Sequence, residues 1–467
     1  MTTTSVTSRR LLPADPATRR IAERLYQLIA DLPILSPHGH VDPGILATDR
    51  PFRDPATLLI RDDHYVTRLL HADGVDLASL AIGQGEISES EARRIWRIFC
   101  DRWHLFAGTA SGYWLRSTLQ DVFGVEQLPG DADPDALFDA LSESLAAADM
   151  RPRALLERFD IEVLATTDDP LDTLEPHRIL AADPGVRTVV RPTFRPDAYL
   201  DPTAAGWGDR VERLIDSVDQ NGYEGYLEGL RASRRRFIEH GATSADFGVF
   251  TADTAEIDPS SAAALFDRAR RGELSATEAR AFRAHMLFES ARMSTEDGLV
   301  MTIHAGVFRN HHTPTFTGYG PDRGHDIPVA TTFVEPLRPL LQRFGTARGF
   351  HLILFTVDET TFSRELAPLA GFYPSVFIGA PWWFLDAPDS AARFRAATVE
   401  TAGFYRGSGF IDDTRAFLSI PARHDMARRT DAGYLARLVV EERLSIGEAE
   451  RIAVDLHSAI PRRAFKL

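Results

Sequence analysis

The sequence predicts an α/β fold, a (β/α)8 TIM-type barrel with a helical insertion after strand 1, and three observations support this fold. Eight short runs rich in β-branched and aromatic residues recur along the 467 residues. Helical patterns separate the runs, and this alternation is typical of a parallel sheet covered by helices. Most runs end in polar or aromatic residues, as expected where catalytic groups collect at the carboxyl ends of barrel strands.

The predicted strands follow one another along the whole chain, and eight is the number with which a (β/α) barrel closes. Their ranges are 32–38, 161–166, 187–193, 246–251, 299–304, 350–355, 375–380 and 409–413. Further helices are predicted within 206–238 and 260–292.

A long interval separates the first two predicted strands and contains helical patterns. Amphipathic spacing over 91–106 and 134–147 predicts two of its helices. We therefore predict a helical insertion subdomain over 48–159 within a single elaborated barrel domain that spans 1–467.

The composition argues against some classes of binding partner. A net charge of −15 argues against nucleic acid, which normally requires clustered Lys and Arg. Cys100 is the only cysteine, which excludes an intramolecular disulfide and is consistent with a reducing compartment. No run approaches the length that spans a bilayer. We expect a cytoplasmic protein that acts on a small molecule, without a nucleic-acid or membrane partner, and homo-oligomerisation stays open.

The basic residues are almost all arginine, since Lys466 is the only lysine. A Schiff-base mechanism, which needs a lysine amine in the site, is therefore disfavoured. A carboxylated lysine that bridges two metal ions is disfavoured for the same reason. The composition thus favours a site with one metal ion over a binuclear site.

His38-Gly39-His40 is the strongest single motif. Successive strand side chains point to opposite faces, so both imidazoles share one side of the first strand. Neutral imidazole is the commonest metal ligand, and the carboxyl end of a barrel strand is where such ligands collect. The alternative is a surface loop with two unrelated histidines, and a carboxylate from another strand end would favour the metal site.

Other strand ends carry the same kinds of residue. They are Thr167-Asp168-Asp169, Arg195, His304, Asp358, Trp382-Trp383 and Asp413-Thr414-Arg415. Between the fifth and sixth strands, residues 309–312 and 318–324 form a long segment that we expect over the barrel mouth, where binding residues are often found.

Several short motifs, in their order and spacing, point to one family. These are His38-Gly39-His40, Asp63-His64-Tyr65, Thr166-Thr167-Asp168-Asp169-Pro170, Pro192-Thr193-Phe194-Arg195-Pro196-Asp197, Trp382-Trp383-Phe384 and Asp413-Thr414-Arg415-Ala416-Phe417-Leu418-Ser419. Together they resemble the uronate isomerase (glucuronate isomerase) family of the amidohydrolase superfamily, over most of the chain.

The resemblance implies one divalent metal ion, zinc, bound by His38, His40 and Asp413. Two imidazoles and one carboxylate leave a coordination position open, as catalytic zinc requires. Asp413 has an alternative reading as a turn or helix-cap residue, because Asp412-Asp413-Thr414 could begin the following helix.

The resemblance also implies the reaction. Members interconvert D-glucuronate with D-fructuronate and D-galacturonate with D-tagaturonate in uronate catabolism, most simply through a cis-enediol. This chemistry needs a base, an acid and an electrophile. His64, Tyr65 and Asp413 are the unranked candidates for proton transfer, and Arg415 completes the catalytic set.

The substrate carboxylate requires a cationic partner, and a guanidinium fork matches its geometry. Arg195, Arg309 and Arg415 are the candidates, and ordinary ion pairing is the alternative for each. His304 is predicted to contact substrate, or to be a further metal ligand or a satisfied core histidine. Trp382 is predicted to form a wall of the sugar pocket, although an aromatic residue at a barrel rim could simply pack.

Two other functions stay open at this stage. One is a mononuclear metal-dependent hydrolase or lactonase of the same superfamily, and the other is a non-catalytic barrel that binds a sugar acid. Phe247 stands where the family commonly has histidine, which leaves room for an altered substrate preference.

Overall fold

The computed structural model describes residues 9–467, so residues 1–8 of the predicted domain lie outside the described part of the chain. Its strands are β1 (Ile34–Ser36), β2 (Ile161–Ala165), β3 (Val189–Arg191), β4 (Ser244–Val249), β5 (Val300–Ala305), β6 (Val307–Phe308), β7 (Ile327–Pro328), β8 (Leu352–Thr356) and β9 (Val376–Ile378). Seven of the eight predicted strands coincide with one of these, with boundaries displaced by about two residues.

Parallel strands lie side by side in chain order. The first sheet has the order β1-β2-β3 and the second has the order β4-β5-β8-β9. A parallel bridge between Phe194 and Ala245 joins the two sheets. Among the strands of residues 9–467, only β6 and β7 pair antiparallel, as a small ribbon outside the two sheets.

The eighth predicted strand, 409–413, is wrong as a strand. A parallel bridge joins Gly407 to Ile378 on β9, but no strand follows it. Gly409 and Asp413 have left-handed φ angles of 78° and 43°, which interrupt an extended backbone. The segment still closes the ring of strands, because the His40 amide donates to the Thr414 carbonyl at 3.0 Å.

Helices surround the strands and fill the intervals between them. They are α1 (Pro16–Ile29), α2 (Pro43–Thr48), α3 (His64–Ala72), α4 (Glu89–Asp101), α5 (Ala110–Ser117), α6 (Pro134–Ala146), α7 (Pro152–Arg158), α8 (Glu175–Ala182), α9 (Asp197–Leu200), α10 (Trp207–Ile215), α11 (Gly222–Glu239), α12 (Pro259–Arg270), α13 (Ala276–Asp297), α14 (Thr313–Tyr319), α15 (Val334–Phe344), α16 (Ala367–Phe372), α17 (Pro388–Ala402), α18 (Ile420–Val440), α19 (Ile446–His457) and α20 (Ala459–Phe465). Among these helices, none is long and apolar enough to cross a membrane.

Local sequence explains where several helices begin. The Asp63 carboxylate accepts from the Tyr65 amide at 2.8 Å and starts α3. Ser88 caps α4, and Asp133 caps α6 with Pro134 in the first turn. Side chains of this kind satisfy amides that have no partner within the helix.

The interval between β1 and β2 contains α2 to α7, as the helical patterns predict. A buried apolar cluster runs from Ala56 to Leu141 and includes Trp96, Phe99 and Phe138. Tyr319, from the segment after β6, packs against this cluster. Whether 48–159 behaves as a subdomain stays a prediction, but its helices place α3 beside the residues that follow the strands.

Candidate active site

One pocket collects most of the predicted site residues. It has a volume of about 910 Å³, and its lining includes His40, His64, Tyr65, Arg195, His304, Arg309, Trp382, Asp413 and Arg415. His38 lies behind the pocket wall and is 1% exposed. A pocket of this size is in the range that small-molecule ligands occupy.

His38, His40 and Asp413 converge although they lie at opposite ends of the chain. Nε2 of His40 is 2.9 Å from Oδ1 of Asp413, and Nε2 of His38 is 3.4 Å from the same oxygen. Both histidines follow β1, and Asp413 is the last residue of the segment that closes the ring. The left-handed backbone at Asp413 belongs to a turn, but its carboxylate faces the imidazoles rather than capping a helix.

The donor set fits a metal ion. His38, His40 and Asp413 each offer one ligand atom, and these atoms lie within 4.8 Å of one another. A second set with the same property is His38, Asp246 and His304. Nε2 of His38, Oδ1 of Asp413 and Oδ2 of Asp246 are buried and make no hydrogen bond of normal geometry in the described chain, although Oδ1 of Asp413 lies 2.9 Å from Nε2 of His40. Buried polar atoms normally have partners, so this cluster suits a cation.

Asp246 is the residue of this cluster that sequence reasoning missed. Its Oδ1 accepts a hydrogen bond from Nδ1 of His304 at 2.7 Å, and its Oδ2 is 3.3 Å from Nη1 of Arg195. Burial opposes ionisation, yet His304, His38 and Arg195 hold its pKa well below the usual range. The signal was a charged residue within an otherwise apolar strand, immediately before Phe247.

The Phe247 side chain does not line the pocket, so the predicted effect on substrate preference has no direct contact to act through. Phe247 is fully buried in the apolar core that also contains Phe194 and Phe237. Adjacent strand residues point to opposite faces, so Asp246 faces His304 while Phe247 faces away. Phe247 therefore belongs to the core and does not line the pocket.

His64 and Tyr65 occupy the first turn of α3, and their rings are stacked with centroids 4.5 Å apart. Burial and the nearby Arg415 lower the pKa of His64 to about 4, so its imidazole is neutral near pH 7. Burial raises the pKa of Tyr65 well above 10, although Arg423 opposes this shift. The pocket thus contains a neutral imidazole and a protonated phenol.

Each predicted arginine lines the pocket and already has a carboxylate partner. Arg195 Nε donates to Asp197 at 2.8 Å. Arg309 Nη1 is 2.9 Å from Asp326, and Arg415 Nη2 is 3.0 Å from Asp322. Asp197 and Asp322 also line the pocket and were not predicted as site residues.

Aromatic rings form another part of the wall. Trp382 lies edge-on to His304, with ring centroids 4.7 Å apart, and His304 stacks on Phe355 at 4.1 Å. Nε1 of Trp382 is buried without a hydrogen-bond partner in residues 9–467. Trp382 therefore packs against His304 and also borders the pocket.

Known proteins with similar sequences indicate the family of this chain. The family model described as glucuronate isomerase matches residues 16–458. The chain belongs to the glucuronate isomerase family. A uronate isomerase of Corynebacterium efficiens is 51% identical over 462 residues, which cover 98% of each chain.

Solved structures of family members share the fold. The crystal structure of glucuronate isomerase from Caulobacter crescentus has a TM-score of 0.95 and 45% identity, and the match covers 98% of this chain and 96% of that one. Uronate isomerase from Thermotoga maritima has a TM-score of 0.90 and 27% identity, with 98% of both chains covered. The predicted α/β fold with parallel sheets and the predicted isomerase activity are confirmed, against the hydrolase and binding-protein alternatives.

Proposed function

We propose that this glucuronate isomerase family member interconverts D-glucuronate with D-fructuronate and D-galacturonate with D-tagaturonate, in cytoplasmic uronate catabolism. The observation that carries the proposal is the single pocket in which His40, Asp413, His64, Tyr65 and Arg415 meet. Imidazole, carboxylate, phenol and guanidinium groups supply the acid, base and anion-binding chemistry that an aldose acid requires.

Zinc is the proposed ion, and His38, His40 and Asp413 would hold it, with His304 and Asp246 beside them. When bound, the ion would act as a Lewis acid toward the substrate oxygens. Asp246 fixes the ring of His304 through the 2.7 Å hydrogen bond to Nδ1. A carboxylate behind an imidazole of a metal site commonly sets its orientation in this way.

The substrate carboxylate is proposed to bind at an arginine of the pocket. Arg195 interacts with two carboxylates, Asp197 at 2.8 Å and Asp246 at 3.3 Å, so its charge is largely compensated. Arg415 is 44% exposed, and Asp322 is its partner. We therefore assign the carboxylate to Arg415, with Arg309 adding positive charge nearby, while Arg195 contacts substrate hydroxyls.

The isomerisation moves two hydrogens and needs no oxidant or reductant. The proton on C2 of the aldose acid is transferred to C1, and the hydroxyl proton on O2 is replaced by one on O1. Neutral His64 and the Asp413 carboxylate are the candidate bases at carbon. The raised pKa of Tyr65 keeps its phenol protonated, so the phenol can donate a hydrogen bond to the developing oxyanion.

Proton NMR of both uronates in deuterated water tests the reaction. We expect wild-type protein to form the ketose acids and to place solvent deuterium at C1. Asp413→Asn should abolish conversion. His64→Asn should also abolish conversion if His64 is the base, and should retain it if His64 is not the base. Failure of the wild-type protein to convert either uronate would refute the proposal.

The metal assignment is tested without turnover. Elemental analysis of purified wild-type protein should show about one divalent ion per chain, with zinc predominant. His38→Asn should remove most of it, because His38 is shared by both candidate donor sets. His71→Asn is a matched control, since Nδ1 of His71 contacts only the Val75 carbonyl among the described hydrogen bonds. Equal metal content in both variants would contradict the assignment.

A further inference from the structure

Asp322 places a carboxylate of the protein itself at the mouth of the pocket. It lies between α14 and β7, and its φ angle of 59° is left-handed. Oδ2 is 3.0 Å from Nη2 of Arg415, and Oδ1 is 3.9 Å from Nη1 of Arg309. All three side chains line the pocket, so a tethered carboxylate faces two guanidinium groups.

The two arginines depend on Asp322 to different extents. Arg309 has a second carboxylate, Asp326, whose Oδ2 lies 2.9 Å away and whose Oδ1 accepts from the Asn310 amide. Within residues 9–467, Asp322 is the only carboxylate within 4.0 Å of Arg415. Asp326 therefore anchors Arg309, whereas Asp322 alone compensates Arg415.

The backbone holds Asp322 in this position. Gly324, two residues later, has a φ angle of 81° and packs against the start of α3. A Cβ atom at Gly324 would lie 3.1 Å from the His64 carbonyl oxygen and 2.6 Å from Cβ of Arg68. The segment that carries Asp322 is thus fixed on α3, the helix that carries His64 and Tyr65. This tethering gives the Asp322 carboxylate a high effective concentration at Arg415.

We propose that Asp322 is an internal competitor for the substrate carboxylate, paired with Arg415 in the free protein and displaced when a sugar acid binds. The inference rests on the proposed function, in which Arg415 receives that carboxylate. A small carboxylate such as acetate must displace Asp322 with no other contact to offset the loss. A sugar acid adds hydroxyl contacts that offset this cost, so it displaces Asp322 at concentrations at which a simple carboxylate does not.

Coulomb repulsion gives the expected size of the effect. Two unit negative charges about 4 Å apart in water repel each other enough to change an equilibrium about fivefold. Asp322→Asn removes this repulsion and the competing ion pair. Asparagine tolerates a left-handed backbone, and the side chain is 38% exposed, so the variant should fold.

Ligand binding is measured by tryptophan fluorescence, because Trp382 and Trp383 line the pocket. The ligands are D-gluconate, a sugar acid without a carbonyl to isomerise; acetate; and D-glucitol, which is uncharged. Asp62→Asn is the matched control, since Asp62 also lines the pocket but makes no ion pair within 4.0 Å in the described chain.

For Asp322→Asn we expect the Kd values of gluconate and acetate to fall about fivefold, with acetate gaining at least as much as gluconate. The Kd of glucitol should stay within twofold, and Asp62→Asn should change each Kd less than twofold. The KM for the preferred uronate should fall in parallel.

Four results would overturn the competitor role. They are unchanged or weaker gluconate binding in Asp322→Asn, an equal gain for glucitol, an equal gain in Asp62→Asn, and no gluconate binding by either protein. Because gluconate is not converted, these results are independent of turnover. If the wild-type protein binds gluconate but converts no uronate, the proposed function is refuted and the competitor role of Asp322 is not.

Discussion

Replacing Gly248 by alanine should reduce activity by displacing Arg195. Gly248 lies in β4 and borders the pocket. A Cβ atom there would be 2.5 Å from Nη2 of Arg195 and 2.9 Å from Oδ2 of Asp197. The φ angle of Gly248 is outside the left-handed region, so alanine is compatible with the backbone. The substitution therefore acts mainly through the two side chains.

The displacement can be worked from these distances. Ordinary contacts to a Cβ atom begin at 3.4 Å, so the guanidinium must withdraw by about 0.9 Å. Arg195 would then lose its present contacts with Asp197 and Asp246. A misplacement of about 1 Å in a substrate-positioning group can reduce rate about 100-fold. We expect kcat/KM to fall 10- to 100-fold, which corresponds to about 1.4–2.7 kcal/mol of transition-state stabilisation.

Steady-state kinetics of a double-mutant cycle with Arg195→Met measures this coupling. If Gly248→Ala acts through Arg195, it should have little further effect in the Arg195→Met protein. Gly208→Ala is the matched control, because no atom lies within 4 Å of its added Cβ position. Additive losses in the cycle, or wild-type kcat/KM in Gly248→Ala, would refute the reasoning.

Two further substitutions separate chemistry from stability. Tyr65→Phe retains the ring that packs on Trp114 but removes the phenolic hydroxyl. We expect kcat to fall about 100-fold or more, with little change in Tm. An unchanged kcat would exclude Tyr65 as the acid. Asp431 is buried, yet Arg395 and His457 lower its pKa to about 2, so the stability it contributes is present above about pH 4 and is lost as pH falls toward 2. Asp431→Asn should therefore lower Tm by about 3 °C at pH 7, with the difference shrinking toward pH 2, as measured by calorimetry; a difference independent of pH would contradict the ion-pair explanation.

The sequence was most informative where strand periodicity and barrel closure act together. The alternation rule predicted that His38 and His40 share one side; both follow β1, and closure of the ring brings Asp413 to them. Strand positions were predictable because these runs are mostly apolar and are buried on both faces, as β5 and β8 show. Such patterns can be recognised in the local sequence without knowing which distant residues are in contact.

Other features depended on contacts that no local pattern records. The segment 409–413 has strand-like composition, but left-handed residues at Gly409 and Asp413 make it an irregular closing segment. Asp246 was hidden in an apolar strand, and its role follows only from the neighbouring His304. Asp322 was within a segment expected over the barrel mouth, but its pairing with Arg415 depends on how that segment packs on α3.

The closing hydrogen bond from His40 to Thr414 also bears on how the protein matures. A ribosome delivers the chain from the N-terminus, so the two histidines emerge long before the aspartate that completes their cluster. Until Asp413 has emerged and docked, the nascent chain holds only two of the three donors of this set. Assembly of the His38, His40 and Asp413 group is thus a late event, which requires the segment around Asp413 to be synthesised and docked beside β1.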